Sequence, residues 1–127
     1  MTHFILVAIG GGLGAGLRHL VGLWTLRAFG SGFPYGTLTV NVVGSLIMGL
    51  FIGWLVRHEA AGLQSVRYFV ATGLLGGFTT FSAFSLDVAV MWERGDTTSA
   101  LVYVALSVVV SLAAVFAGFY LMRQLGS

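Results

Sequence analysis

The chain has no cysteine and no lysine, a single proline, and only 8% charged residues in 127. The lack of cysteine excludes disulfides and thiolate metal sites. The lack of charge excludes a water-soluble fold, since a soluble domain is roughly 25% charged. With 57% of its residues hydrophobic, the chain matches a bilayer as solvent. All six basic residues are Arg and the net charge is +2. That charge is too small, and too scattered, to imply a nucleic-acid partner. The first residues, MTHFILVAIGGG, have no basic lead and no small-residue cleavage site. They read as a retained first helix and not as a cleaved signal.

What is present is long apolar segments. Crossing the hydrocarbon takes roughly 20 helical residues. Four segments qualify, at about 4–27, 37–56, 68–92 and 100–122, and they occupy residues 1–127 as one transmembrane domain. The fold expected is all-α, a polytopic membrane protein with four transmembrane helices. AFGSGFPYG and ERGDTT read as turns, and Asp96 in the second is placed to cap the fourth helix. Trp24, Trp54, Tyr68 and Trp92 fall near segment ends, where aromatic belts form. Small residues recur four apart: Gly10/Gly14, Gly12/Gly16, Ser45/Gly49/Gly53 and Ala114/Gly118. Such faces let helix backbones approach closely in lipid, within one chain or between copies.

Basic residues barely distinguish the two sides. Arg57, Arg67 and Arg123 fall on one; Arg27 and Arg94 fall on the other, with Arg18 deeper on the way to it. The positive-inside rule needs an asymmetry that this chain nearly lacks. Copies inserted both ways would pair as an antiparallel dimer with its two-fold axis in the membrane plane.

Polar groups inside a membrane are expensive and therefore functional candidates. Thr37, Asn41 and Ser45 lie at i, i+4 and i+8 on one face of the second helix. Tyr103, Ser107 and Ser111 repeat that spacing in the fourth. An isolated Asn is more often a helix–helix hydrogen bond, and a lone Ser often bonds its own i−4 carbonyl. Two ladders without a carboxylate instead suit an anion, because donors can turn inward and nothing repels negative charge. In the third helix, GGFTTFSAFS sets two glycines before hydroxyls and phenylalanines. Gly76-Gly77 weakens the helix, and Thr79, Thr80 and Ser82 can bond backbone in its place. The third helix is therefore expected to break near its middle, where freed backbone groups can line a site. Phe81 and Phe84 share a face and carry positive ring edges that can touch an anion; the plain alternative is core packing. Arg18 either lines a water-filled vestibule that attracts anions or snorkels to the interface. Asp87, one turn past Phe84, either pairs with Arg18 or caps that vestibule.

With these residues in view, the chain resembles the Fluc, or CrcB-type, family of bacterial fluoride channels. The resemblance rests on Gly14-Ala15-Gly16-Leu17-Arg18, on Tyr35-Gly36-Thr37-Leu38-Thr39-Val40-Asn41, and on Gly76-Gly77-Phe78-Thr79-Thr80-Phe81-Ser82-Ala83-Phe84-Ser85. It spans essentially the whole chain. It implies a dual-topology antiparallel homodimer with two fluoride pores, in the bacterial inner membrane. It further implies pore-lining roles for Asn41, Phe81 and Phe84, with Thr37, Thr80, Ser82, Tyr103, Ser107 and Ser111 along the path and Arg18 in the vestibule. The backbone carbonyls of Gly76 and Thr79 would hold a central structural sodium ion (Na+). Relatives commonly carry Glu where this chain has Asp87.

The competing readings are a small multidrug or guanidinium exporter, a proton-coupled fluoride carrier and a structural subunit. The first would place a carboxylate in the first helix, which has Arg18 and no acid. The second needs a titratable group at the midplane. Glu59 and Glu93 are not mid-membrane and Asp87 is off-centre. The third would not need two aligned hydroxyl ladders. No P-loop, metal-ligand cluster or nucleophile–base pattern indicates an enzyme.

Overall fold

The computed structural model describes residues 1–58 and 62–125; Glu59 falls outside them. Among these residues every regular element is a helix. We number them α1 (Thr2–Phe29), α2 (Tyr35–Arg57), α3 (residues 64–78), α4 (Ser82–Glu93) and α5 (Thr97–Leu125). α3 and α4 together make the third span, so four spans are long and apolar enough to cross a bilayer. Each extends a few residues beyond its sequence-based bounds, because the helices continue past the apolar window into polar ends.

α3 is not uniform. Its middle, Tyr68–Leu75, is π-helical, with α-helical Gln64–Arg67 before it and Gly76–Phe78 after it. The chain then leaves the helix at Thr79, whose φ of −86° and ψ of 161° are extended. Helix resumes at Ser82. The break expected near the middle of the third span is therefore present, but two residues beyond the glycine pair that helped suggest it. Gly76 and Gly77 are themselves helical.

Close backbone contact explains those glycines. α1 packs on α3 through Gly10, Gly14, Gly73 and Gly77. A Cβ at Gly14 would strike the Leu74 carbonyl, and one at Gly77 would strike the carbonyl of Gly11. α2 packs on α5 in the same way, with Gly49 against Val115 and Gly53 against Met122. Residue numbers rise together across both contacts, so α1 runs parallel to α3 and α2 parallel to α5. Consecutive spans therefore alternate in direction. In lipid such contact replaces the hydrophobic drive that water would supply. Gly12 and Gly16, by contrast, meet nothing within 4 Å in their own chain.

The turns follow local rules. After α4, Gly95 takes φ 84°. Its N–H donates to the Trp92 carbonyl and that of Asp96 to Met91, at 3.0 and 2.9 Å. This pair of bonds is a Schellman ending, which favours glycine. The Asp96 carboxylate lies 3.7 Å from Arg94. Side-chain packing is concentrated between α4 and α5, where Phe84, Met91, Ala100 and Tyr103 are buried together beneath Phe33 and Leu38.

Gly14→Ala should lower stability by roughly 1–3 kcal/mol through overpacking against backbone. Gly22→Ala, with nothing within 4 Å of the added Cβ, should cost far less. Thermal unfolding of the two variants in detergent checks this, and equal losses would refute the assignment of the α1–α3 contact.

Candidate functional site

The site is built around the interruption at residues 79–81. A span that leaves the helix in lipid must find partners for its backbone groups within the protein. Three side chains supply them. The Thr79 hydroxyl donates back to the Leu75 carbonyl at 3.0 Å, beside the bond from its own N–H. The Thr80 hydroxyl, one residue before the Phe81 N-cap, accepts the Ala83 N–H at 3.1 Å and so satisfies a first-turn donor of α4. Asn41 of α2 then clamps Thr80 twice. Its Oδ1 accepts the Thr80 N–H at 2.7 Å, and its Nδ2 donates to the Thr80 carbonyl at 3.0 Å.

These bonds have a consequence for the carbonyls. In a continuous helix the N–H of Thr80 would close onto Gly76, and that of Ala83 onto Thr79. Both N–H groups are diverted, to Asn41 and to the Thr80 hydroxyl. Gly76 and Thr79 are thus released from i to i+4 pairing, and their oxygens are hard donors of the kind an alkali cation takes. Gly77 differs, because its carbonyl accepts from Arg18 Nε at 3.1 Å. Arg18 is therefore neither paired with Asp87 nor wholly turned to the interface; it holds α1 to the end of α3.

Two cavities flank the break, each of about 440 Å³. The first lies between α2, the break and α5. Asn41, Ser45, Thr79, Thr80, Phe81, Phe84, Ser107 and Ser111 are on its wall, with Gly44, Met48, Val108, Leu112 and Val115. None of these residues carries a charge. The second holds Arg18, His19, Thr37 and Thr80, with the Phe33-Pro34-Tyr35 turn. Thr80 borders both, so the clamped residue separates a basic chamber from a neutral one.

The two ladders expected from spacing meet at the first cavity through Asn41, Ser45, Ser107 and Ser111. Ser107 and Ser111 hold buried hydroxyl oxygens with no hydrogen-bond partner. The usual fate of a helical Ser, a bond to its own i−4 carbonyl, does not apply to either. Phe84 is 8% exposed and Phe81 77% exposed, with ring centroids 5.4 Å apart. One phenyl is packed in the chain while the other projects outward.

Several expected residues lie elsewhere. Tyr103 is fully buried and borders neither cavity; its hydroxyl donates to Asp87 Oδ2 at 3.0 Å. Ser82 borders neither cavity, and its hydroxyl is 3.3 Å from that of Thr80. Gly76 is exposed on the approach to the break. Gly44 was missed by sequence reasoning, although any Cβ there would collide with the Thr79 side chain. Its signal was its place, three residues beyond Asn41 on α2.

The sequence profile of the family described as CrcB-like protein, Camphor Resistance (CrcB), matches residues 5–119. A protein of Mesorhizobium japonicum named fluoride-specific ion channel FluC is 52% identical over 125 residues, covering 98% of this chain and 99% of the relative. Proteins of the same name from a Chelativorans species and from Rhizobium meliloti are 52% and 50% identical, over the same 98% and 99%.

Asn41→Ala should strip Thr80 of both partners, at roughly 1–3 kcal/mol for each buried group left unsatisfied. The Thr80 amide should then exchange hydrogen about tenfold faster or more. Unchanged exchange at Thr80 would show that the clamp does not hold the break.

Proposed function

The chain belongs to the CrcB-like protein family, and from that premise we propose that it is a passive, fluoride-selective ion channel. Relatives about half identical over nearly their whole length are named for that activity. The observation that carries the reading is the pair of orphaned hydroxyls at Ser107 and Ser111, facing a charge-free cavity beside Phe84. A buried hydroxyl without a partner is costly, and one that waits to donate to a ligand is explained.

The chemistry suits a small anion. Fluoride is strongly hydrated, so entry demands donors in sequence to replace its water. Ser107 and Ser111 provide O–H groups, and Asn41 keeps one N–H beyond its bond to Thr80. Phe81 and Phe84 add positive ring edges, which attract an anion without the grip of a formal charge. Thr80 and Thr37 would line the path, with Ser82 and Tyr103 behind it against Thr80 and Phe84. Larger halides would be disfavoured where donors placed for a small anion must replace its water. Arg18 in the adjoining chamber raises the local anion concentration. Because no residue on the wall of the neutral cavity ionises, this reading favours a channel over a proton-coupled carrier.

We place the working unit as an antiparallel dual-topology homodimer in the bacterial inner membrane, with two pores. The near-equal Arg count on the two sides supports this. So do the outward Phe81 and the open glycine face at Gly12 and Gly16. At the dimer centre the released carbonyls of Gly76 and Thr79 would hold a sodium ion. Its positive charge would offset repulsion between anions on either side.

Purified protein in liposomes should release fluoride without any proton gradient and retain chloride. Comparable chloride efflux, or a need for a proton gradient, would sink the proposal. Replacing both Ser107 and Ser111 by Ala should slow fluoride efflux by about tenfold or more, from the loss of two donors.

A further inference from the structure

Asp87 is a carboxylate within a membrane span, and such groups persist where they act. Among the described residues no basic side chain lies within 4.0 Å of it, since the one ion pair in range joins Arg94 to Asp96. Its partner is the Tyr103 hydroxyl, 3.0 Å from Oδ2. A phenol has a single proton, and a carboxylate accepts only. The proton of Tyr103 is therefore committed to α4 and is not offered to either cavity.

The ring of Tyr103 is as constrained as its hydroxyl. Tyr103 is 0% exposed. The Phe33 ring meets it edge-on, with centroids 5.4 Å apart and planes at 86°. On another side Phe84 packs against it at 5.1 Å and 47°. Phe84 in turn touches Phe81. Asp87 and Phe84 lie three apart on one face of α4. A single hydrogen bond thus ties the far end of the Tyr103 ring to the helix that carries Phe84, closing a loop of contacts from α4 to α5 and back.

We propose that Asp87 is a positioning residue for conduction: by taking the one proton of Tyr103 it fixes that ring as the backing of Phe84. This rests on the channel reading above. Tyr103 then presents an aromatic wall to Phe84, and donation to the anion is left to Ser107, Ser111 and Asn41. The rival role, a phenol that donates to passing fluoride, makes the opposite forecast for loss of the carboxylate, because it would set the proton free.

The test compares fluoride efflux from liposomes for the parent, Asp87→Asn, Asp87→Ala, Tyr103→Phe and the Asp87→Ala/Tyr103→Phe pair. Asp87→Asn keeps an acceptor for the phenol and should stay within about threefold of the parent. Asp87→Ala and Tyr103→Phe should each lose about tenfold or more, and the double variant no more than the worse single, as expected for two halves of one interaction. Losses that multiply in the double variant would overturn the proposal. So would Asp87→Ala efflux at or above the parent rate, which would indicate a freed donor or relief of charge repulsion. Asp87→Asn as impaired as Asp87→Ala would also overturn it, by showing that charge and not acceptance matters. If Asp87→Ala does not fold, Asp87→Leu, close to Asn in shape but without an acceptor, takes its place with the same forecasts. A parent that releases no fluoride removes the channel reading and this role with it; a conducting parent with the wrong pattern of variants removes this role alone.

Discussion

One side chain on the second span holds the third span open. Asn41 meets the N–H and the carbonyl of Thr80 at once, which is the pairing a neighbouring strand would offer. Without it, two backbone groups of Thr80 would be unpaired in a low-dielectric setting where each costs several kcal/mol. Everything at the site depends on this substitution of a side-chain amide for helix hydrogen bonds. It directs Phe81 and Phe84 away from a continuous helical track. It diverts the donor that would cover Gly76, while the Thr80 hydroxyl diverts the one that would cover Thr79. It also sets Thr80 as the partition between the basic chamber and the neutral one.

The clamp works only because the helices around it cannot shift. Their contacts are backbone to backbone at glycine, so sliding one span past another meets carbonyls instead of deformable side chains. Arg18 adds a bond from α1 to Gly77, two residues before the break. On the far side, Gly44 leaves just enough space for the Thr79 methyl. The interruption is thus bracketed by rigid packing on α1 and α2. A donor array of this kind needs that rigidity, because a loose array would relax onto its own backbone and satisfy Ser107 and Ser111 internally.

Much of this was legible in the residues. Hydropathy and length located the spans because lipid leaves few alternatives. The four-residue spacing of Asn41 with Ser45 and of Ser107 with Ser111 correctly assembled one wall of a cavity, since helical period is reliable over two turns. The break itself was legible, and so were the Thr79 and Thr80 hydroxyls that bond backbone there; the part assigned to Gly76-Gly77 was not, since both are helical. Glycine in a membrane helix serves close approach as often as weakness, and only the position of α1 decides which. The π-helical Tyr68–Leu75 left no trace in composition. Tyr103 shows the limit of spacing most clearly. It lies on the same face as Ser107, yet a long side chain reaches beyond that face, and its hydroxyl found a partner 16 residues earlier.

The exposure of Phe81 bears on the proposed assembly. A phenyl facing lipid needs no explanation alone. This one stands at the non-helical interruption of the third span, beside a cavity with orphaned hydroxyls and next to carbonyls whose helical donors are diverted. Lipid chains can cover a ring, but they cannot satisfy polar groups. On the proposed reading a second copy would cover the ring, because a two-fold axis brings each patch against itself, and the polar groups would be met by the ions. The polarity of the break, more than its hydrophobicity, is thus what makes a lone chain an incomplete unit on the proposed reading. On that same reading, the near balance of arginines would let the second copy enter the membrane the other way up.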